Sequence, residues 1–376
     1  MVVKLRPKQF SPVILMAACA LLSVVLVMYS PLALEGARNG LALCGQVIIP
    51  SMYPFFVLAG IFTQITAGGA GGGKSKGRAV LGAVLLGFLG GYPLGAKTAA
   101  QLMEQGEISR GQAQRLQLFC VNAGPAYLIG AVGAGMLGSR RAGLILFASM
   151  LAAGLAMGVF TRFWLEEEKT QPVTPPHPLA ITATLDGCQG RPLGGDVPQG
   201  QRGCTRQPFD HILLTAVTQA TGSILGACAW IVLFSTLCAL LQLLPHGLWQ
   251  AIPALNVLLE VSSGAVAVVR AGMPLPVLCA ALGWGGLAVH CQLLGDIRKT
   301  GLPLRLFWAS RLLHGALAAA ICAGLTRLFP VETTVSMIWG AGRMIRLWAV
   351  SAPAAAAILF FCAFLILDLD LNRKVC

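Results

Sequence analysis

Charge is what this sequence has least of: aspartate, glutamate, lysine and arginine make up 11% of its 376 residues, and only 14 of those side chains are acidic. A soluble chain of this length carries about twice that share to cover its surface, so a water-soluble globular domain is excluded. The sequence also lacks the pairings that chemistry needs. Five histidines give no metal-ligand spacing such as HExxH, and no serine sits in a nucleophile elbow. No catalytic residue, metal ligand or cofactor is expected, and the chain reads as other than an enzyme. Its formal charge of +13 is spread over short loops without a long basic stripe or interleaved aromatic platform, which argues against nucleic acid as a partner. No ATP-binding module is legible, so primary transport would need a second protein.

What fills the space is apolar: 56% of the residues are hydrophobic and the mean hydropathy is +0.75. Windows long enough to cross a bilayer recur at residues 11–29, 41–65, 79–101, 141–163, 211–243, 249–269, 274–294, 303–328 and 345–367. The expected fold class is an all-α polytopic membrane protein of about eight to ten membrane segments with discontinuous or re-entrant helices. Its constant partner is the lipid bilayer.

Lys4, Arg6 and Lys8 precede the first window, which superficially resembles a signal peptide. No small-residue cleavage pattern precedes Tyr29 and further spans follow, so an uncleaved helix is expected. The positive-inside rule puts the N-terminus in the cytoplasm, consistent with the basic loop Lys74, Lys76 and Arg78 after two crossings. Most of the twelve cysteines lie singly in apolar windows and read as small hydrophobes; Cys188 and Cys204 share a polar connection where a disulfide could form on an oxidising side.

Residues 165–208 carry Glu166, Glu167 and Glu168, then prolines and glycines without periodicity. They read as an exposed linker between two membrane halves. The glycine run at Gly68–Gly73 is a shorter flexible connection; despite the Lys74 and Ser75 that follow, no strand leads into it, so it makes a poor phosphate loop. The halves share a faint order of long apolar span, small-residue segment carrying a charge, and second glycine-rich segment. The expected units are residues 1–38, a first membrane helix and loop; 39–164, a first repeat; 165–208, the linker; 209–344, a second repeat; and 345–376, a last helix and tail.

Two segments break the hydrocarbon pattern. In LGGYPLGAK, Gly90 and Gly91 permit unusual backbone angles and Pro93 removes a donor, so a helix interruption is expected. An interrupted helix exposes amides at one new end and carbonyls at the other, and can hold a polar ligand with few polar side chains. Gly91, Tyr92, Pro93 and Gly95 are therefore candidate site residues. Lys97 sits one turn beyond, where it serves the site, snorkels to the interface or pairs with Glu104. Asn122, Gly124 and Pro125 make the second interruption, with Asn122 either meeting freed backbone groups or a ligand, or capping the next helix. Tyr127 reads as packing.

Glu260 lies in a largely uncharged run, where a carboxylate is costly unless paired, protonated or facing a wet cavity. Ser263 and Gly264 follow it with a hydroxyl and room for close backbone approach, beside Ser262. Its alternatives are a role toward solute, ion or proton, and an internal ion pair with Lys97 or another basic residue. His290 and Gln292 follow GWGG and do not share a helix face, but a break there could turn both inward. Glycines 130, 133, 135, 154 and 158 read as helix-packing contacts.

Taken together, IPSMYPFFVL (Ile49 to Leu58), GGYPLGAKTAAQL (Gly90 to Leu102), FCVNAGPAYLIGAVGAGMLGS (Phe119 to Ser139), LLEVSSG (Leu258 to Gly264) and GWGGLAVHCQ (Gly283 to Gln292) resemble the YlbJ family of sporulation integral membrane proteins. That family carries the nucleoside-recognition or Gate domain, and the resemblance spans nearly the whole chain outside the linker. It implies two Gate-like repeats and a multi-pass protein of the mother-cell or outer forespore membrane, needed for spore cortex formation. It carries the site onto Gly91–Lys97 and Asn122–Pro125. Two functions follow as expectations: a permease for a small polar solute, with proton or sodium coupling, and a non-transporting scaffold for cortex-assembly membrane proteins, with a homo-oligomer allowed in either case.

Overall fold

A computed structural model describes residues 12–67, 73–164, 209–245 and 251–331; the basic N-terminal residues, the linker with Cys188 and Cys204, and the 345–367 window lie outside the described residues. Among the described residues there is no strand. The chain is an all-α, multi-pass membrane protein. Five helical runs are long and apolar enough to cross a bilayer: Ser30–Ile65, Arg140–Arg162, Phe209–Leu243, Leu275–Thr300 and Leu304–Leu328. Leu144, Leu155, Val159 and Phe160 stay exposed on one of these, as expected of a surface solvated by lipid tails.

The first half opens with α1 (Pro12–Met28) and then a continuous helical run of α2 (Ser30–Leu43), a π-helical turn (Cys44–Ile48) and α3 (Ile49–Ala67). The unit boundary drawn at 38/39 falls inside this run. Next come α4 (Gly73–Gly90), α5 (Tyr92–Glu104), α6 (Arg110–Phe119), a π-helix (Ala126–Met136) and α7 (Arg140–Trp164). The second half has α8 (Phe209–Leu240), α9 (Ile252–Leu259), α10 (Val261–Arg270), α11 (Leu275–Trp284), α12 (Gly286–Thr300) and α13 (Leu304–Leu328). Gly68, Gly73, Lys74 and Ser75 match a phosphate loop in spacing, yet helix α3 leads toward them rather than a strand.

The 79–101 window is not one straight span. Gly91 has φ +94°, which only glycine adopts freely, and α5 restarts there in a new direction with Pro93 preset in its first turn. The chain folds back so tightly that a Cβ on Gly87, four residues before the turn, would lie 3.1 Å from the Cα of Gly95, four residues after it. The 249–269 window behaves alike: α9 and α10 meet at Glu260, and a Cβ on Gly264 would lie 2.6 Å from the Cα of Val257. Both windows are folded-back pairs, because their arms are too short to cross singly and small residues let them pack on each other.

Two further elements are interrupted and continue onward. One passes from α6 through residues 120–125 to the π-helix; the other passes from α11 to α12 through Gly285 and Gly286, whose φ values are +84° and +77°. The first was not legible as a span. Arg110, Gln112, Gln114 and Gln117 dilute its hydropathy, while the tertiary structure gives three of them partners: Arg110 Nε and Gln114 Nε2 donate to Thr300 O at 2.7 and 2.8 Å, and Gln117 Nε2 donates to Asp296 O at 3.0 Å. Ser109 and Gln112 form a reciprocal capping box at the start of α6.

After α1, each half thus runs long helix, folded-back pair, interrupted helix, long helix. Close helix contacts rest on glycine. Gly133 faces Gly143, and a Cβ on Gly283 of α11 would lie 2.5 Å from the Cα of Gly315 in α13. Gly283→Ala is expected to wedge α11 from α13 and cost about 1–3 kcal/mol, read as a lower thermal midpoint in detergent. An unchanged midpoint would mean that this contact relaxes freely.

Candidate functional site

The turn of each folded-back pair rests on the break of the interrupted helix that follows it. In the first half, a Cβ on Gly124 would lie 3.1 Å from Leu89 O and 3.2 Å from Gly91 N. In the second, a Cβ on Gly286 would lie 2.8 Å from Val261 N and 3.0 Å from the Cα of Glu260. Neither position has room for a side chain. The halves then bond across to each other: Tyr92 Oη donates to Leu282 O at 2.6 Å, and Tyr127 Oη donates to Ser262 Oγ at 3.2 Å. Tyr127 therefore does more than pack.

A cavity of about 40 Å³, counted as the volume open to the centre of a water molecule, lies where these four features meet. It has room for about three waters, so it fits a small polar group. Gly91, Tyr92, Pro93, Gly124, Tyr127, Glu260, Ser262 and Gln292 line it, together with apolar residues of the run through α3 and of α8. The N-terminal turns of α5, the π-helix and α10 all border it, and such turns carry amides without helical acceptors.

Glu260 is wholly buried, yet among the described residues its partner is neither Lys97 nor another base. Its carboxylate caps α10, accepting from Ser262 N at 2.9 Å and Ser263 N at 2.6 Å. Asn122 caps a helix too, but the preceding one: its Nδ2 donates to Phe119 O at 2.8 Å, while Oδ1 is buried without a hydrogen-bond partner. Lys97 lies off the cavity and donates to Ser223 Oγ of α8. Glu104, its other possible partner, pairs with Lys299 at 3.1 Å.

The last two candidates both lie in α12, beyond the break at Gly285–Gly286, and face different ways. Gln292 lines the cavity and donates from Nε2 to Ala227 O at 3.3 Å. His290 turns away: its Nε2 is 2.9 Å from Trp284 O, and its ring packs edge-on against Trp284 and Phe307. Gly95 and Gly264 allow the folded-back approach, and Pro125 starts the π-helix. Ser263 contributes its amide to the Glu260 cap.

The chain is 25% identical over 328 residues to the sporulation integral membrane protein YlbJ of Bacillus subtilis (strain 168), covering 79% of this chain and 78% of that protein. This similarity supports the resemblance to the YlbJ family seen in the sequence motifs. No family model matches it, and no solved structure does.

The side chain that sequence reasoning passed over is Arg311. It lies in α13, is 1% exposed, and donates from both terminal nitrogens to Leu118 O and Val121 O at the end of α6. The signal was present: a charge inside the 303–328 window deserves the same suspicion as Glu260. It was overlooked because no glycine or proline break adjoins it in the sequence.

Proposed function

We propose that this membrane protein acts in sporulation as a permease, passing a small polar solute through the cavity between the two turns. The observation that carries the reading is the meeting of three backbone interruptions, with α12 just beyond the fourth, at one partly open cavity bordered by the N-terminal turns of α5, the π-helix and α10. Breaks of this kind are costly in hydrocarbon unless they serve a polar site. The sporulation role comes from the name of the Bacillus subtilis relative. Action in the mother-cell or outer forespore membrane and a part in cortex formation belong to the same proposal. Setting α1 apart, each half contributes three crossings and one folded-back pair, and an odd number of crossings reverses orientation. The halves are accordingly proposed as inverted repeats, the arrangement that lets a central site open to either side.

The test is uptake into proteoliposomes of purified protein, with labelled nucleosides, amino acids and cell-wall precursors under proton and sodium gradients. Saturable uptake of one class is expected, reduced at least about tenfold in Gln292→Ala, which alters the cavity without touching the α10 cap. Folded protein that takes up none of these classes under either gradient would favour the scaffold for cortex assembly.

A further inference from the structure

In membrane proteins the carbonyls freed at a broken helix commonly coordinate a metal cation such as sodium. Here, at the two interrupted helices that continue onward, donors of the chain itself engage several of those carbonyls. At the end of α6, Leu118 O and Val121 O accept from the Arg311 guanidinium and Phe119 O accepts from Asn122. At the end of α11, Ala281 O accepts from Gly285 N at 3.2 Å, Leu282 O from Tyr92 Oη and Trp284 O from His290 Nε2. Donors supplied by the chain thus occupy three carbonyls at the end of α6 and three at the end of α11.

Arg311 has no counter-ion among the described residues that would explain its burial. Among the described residues no carboxylate lies within ion-pair distance of it. Its guanidinium instead sits on the negative end of α6, 5.7 Å from the centre of the Phe307 ring. Burying an unpaired charge is strongly unfavourable unless fixed dipoles replace its water. The carbonyls of a helix C-terminus do that, through charge-assisted hydrogen bonds.

We infer that Arg311 is a resident cation, a positioning residue that occupies the carbonyl end of the first break in place of a metal ion and ties α13 of the second half to α6 of the first. On the permease reading, a metal coupling ion is thereby displaced from the α6 break. This consequence deepens the permease reading and rests on it. The resident-cation assignment is tested by stability alone, so failure of one is distinguishable from failure of the other.

The experiment measures thermal midpoints of the purified full chain in detergent for the parent, Arg311→Ala, Arg311→Met and Arg311→Lys. Arg311→Ala is expected to melt about 5 °C or more below the parent, with Arg311→Met equally low and Arg311→Lys between. Millimolar guanidinium chloride, far below its denaturing range, is expected to restore at least half of the loss in Arg311→Ala and to leave the parent unchanged. Replacing sodium by choline is expected not to move the parent. A parent that melts higher in sodium would overturn the inference, and that measurement stands even where a variant fails to accumulate. So would an Arg311→Met variant as stable as the parent, or an Arg311→Ala loss that guanidinium does not restore.

Discussion

Gly286→Ala is expected to lose about 2–5 kcal/mol of stability, among the largest effects of any single methyl group in this protein. Two costs combine. Its φ of +77° is a region that side chains rarely adopt, and the new Cβ would lie 2.8 Å from Val261 N and 3.0 Å from the Cα of Glu260. The atoms in the way are backbone at the turn between α9 and α10, which cannot rotate aside. The turn would have to leave the break, moving the Glu260 cap with it. Gly226→Ala in α8 is the control: nothing lies within 4 Å of its Cβ, and alanine in a helix is neutral or stabilising by up to about 1 kcal/mol. Thermal unfolding of both variants in detergent checks the pair. Equal midpoints would show that contact between turn and break is not required for the fold.

Gly286 also shows what the sequence makes legible and what it hides. Breaks leave letters behind: Gly91 with Pro93 and Gly285 with Gly286 inside apolar windows, and Gly124 with Pro125 between two windows, each combine backbone freedom or a missing donor. The direction that the chain takes after a break leaves none. Whether it folds back, as α4 and α5 do, or continues, as α11 and α12 do, depends on whether small residues on both arms face each other. Gly87 and Gly95 do so only once Gly91 has turned the chain. Partner identities were hidden for the same reason. Lys97 reaches Ser223, 126 positions away, rather than Glu104 on its own helix, and Asn122 serves the helix behind it rather than ahead. Arg311 was hidden differently: it acts on a break 190 positions distant, so a search confined to residues near glycine and proline misses it.

Glu260→Ala should match Gly286→Ala in size for a different reason. Glu260 ends α9 and begins α10 in an extended conformation, φ −144° and ψ 127°, so the amides of Ser262 and Ser263 have no helical acceptor. The carboxylate takes both. Alanine would leave two buried donors unmade at about 1–3 kcal/mol each. Glutamine has one acceptor oxygen and turns an amide toward the second donor, so Glu260→Gln is expected to lose about half as much. Aspartate, a common helix cap, is expected to keep most of the stability while withdrawing the carboxylate by one methylene from the cavity that Glu260 lines. The order of thermal midpoints is therefore parent, Glu260→Asp, Glu260→Gln, Glu260→Ala; an alanine variant as stable as the parent would dismiss the cap. Aspartate also separates the two duties of this side chain. A variant that keeps the parent's midpoint but loses uptake would place the carboxylate in contact with solute, whereas uptake that tracks the midpoint across all three variants would leave Glu260 as the residue that holds α10 in position.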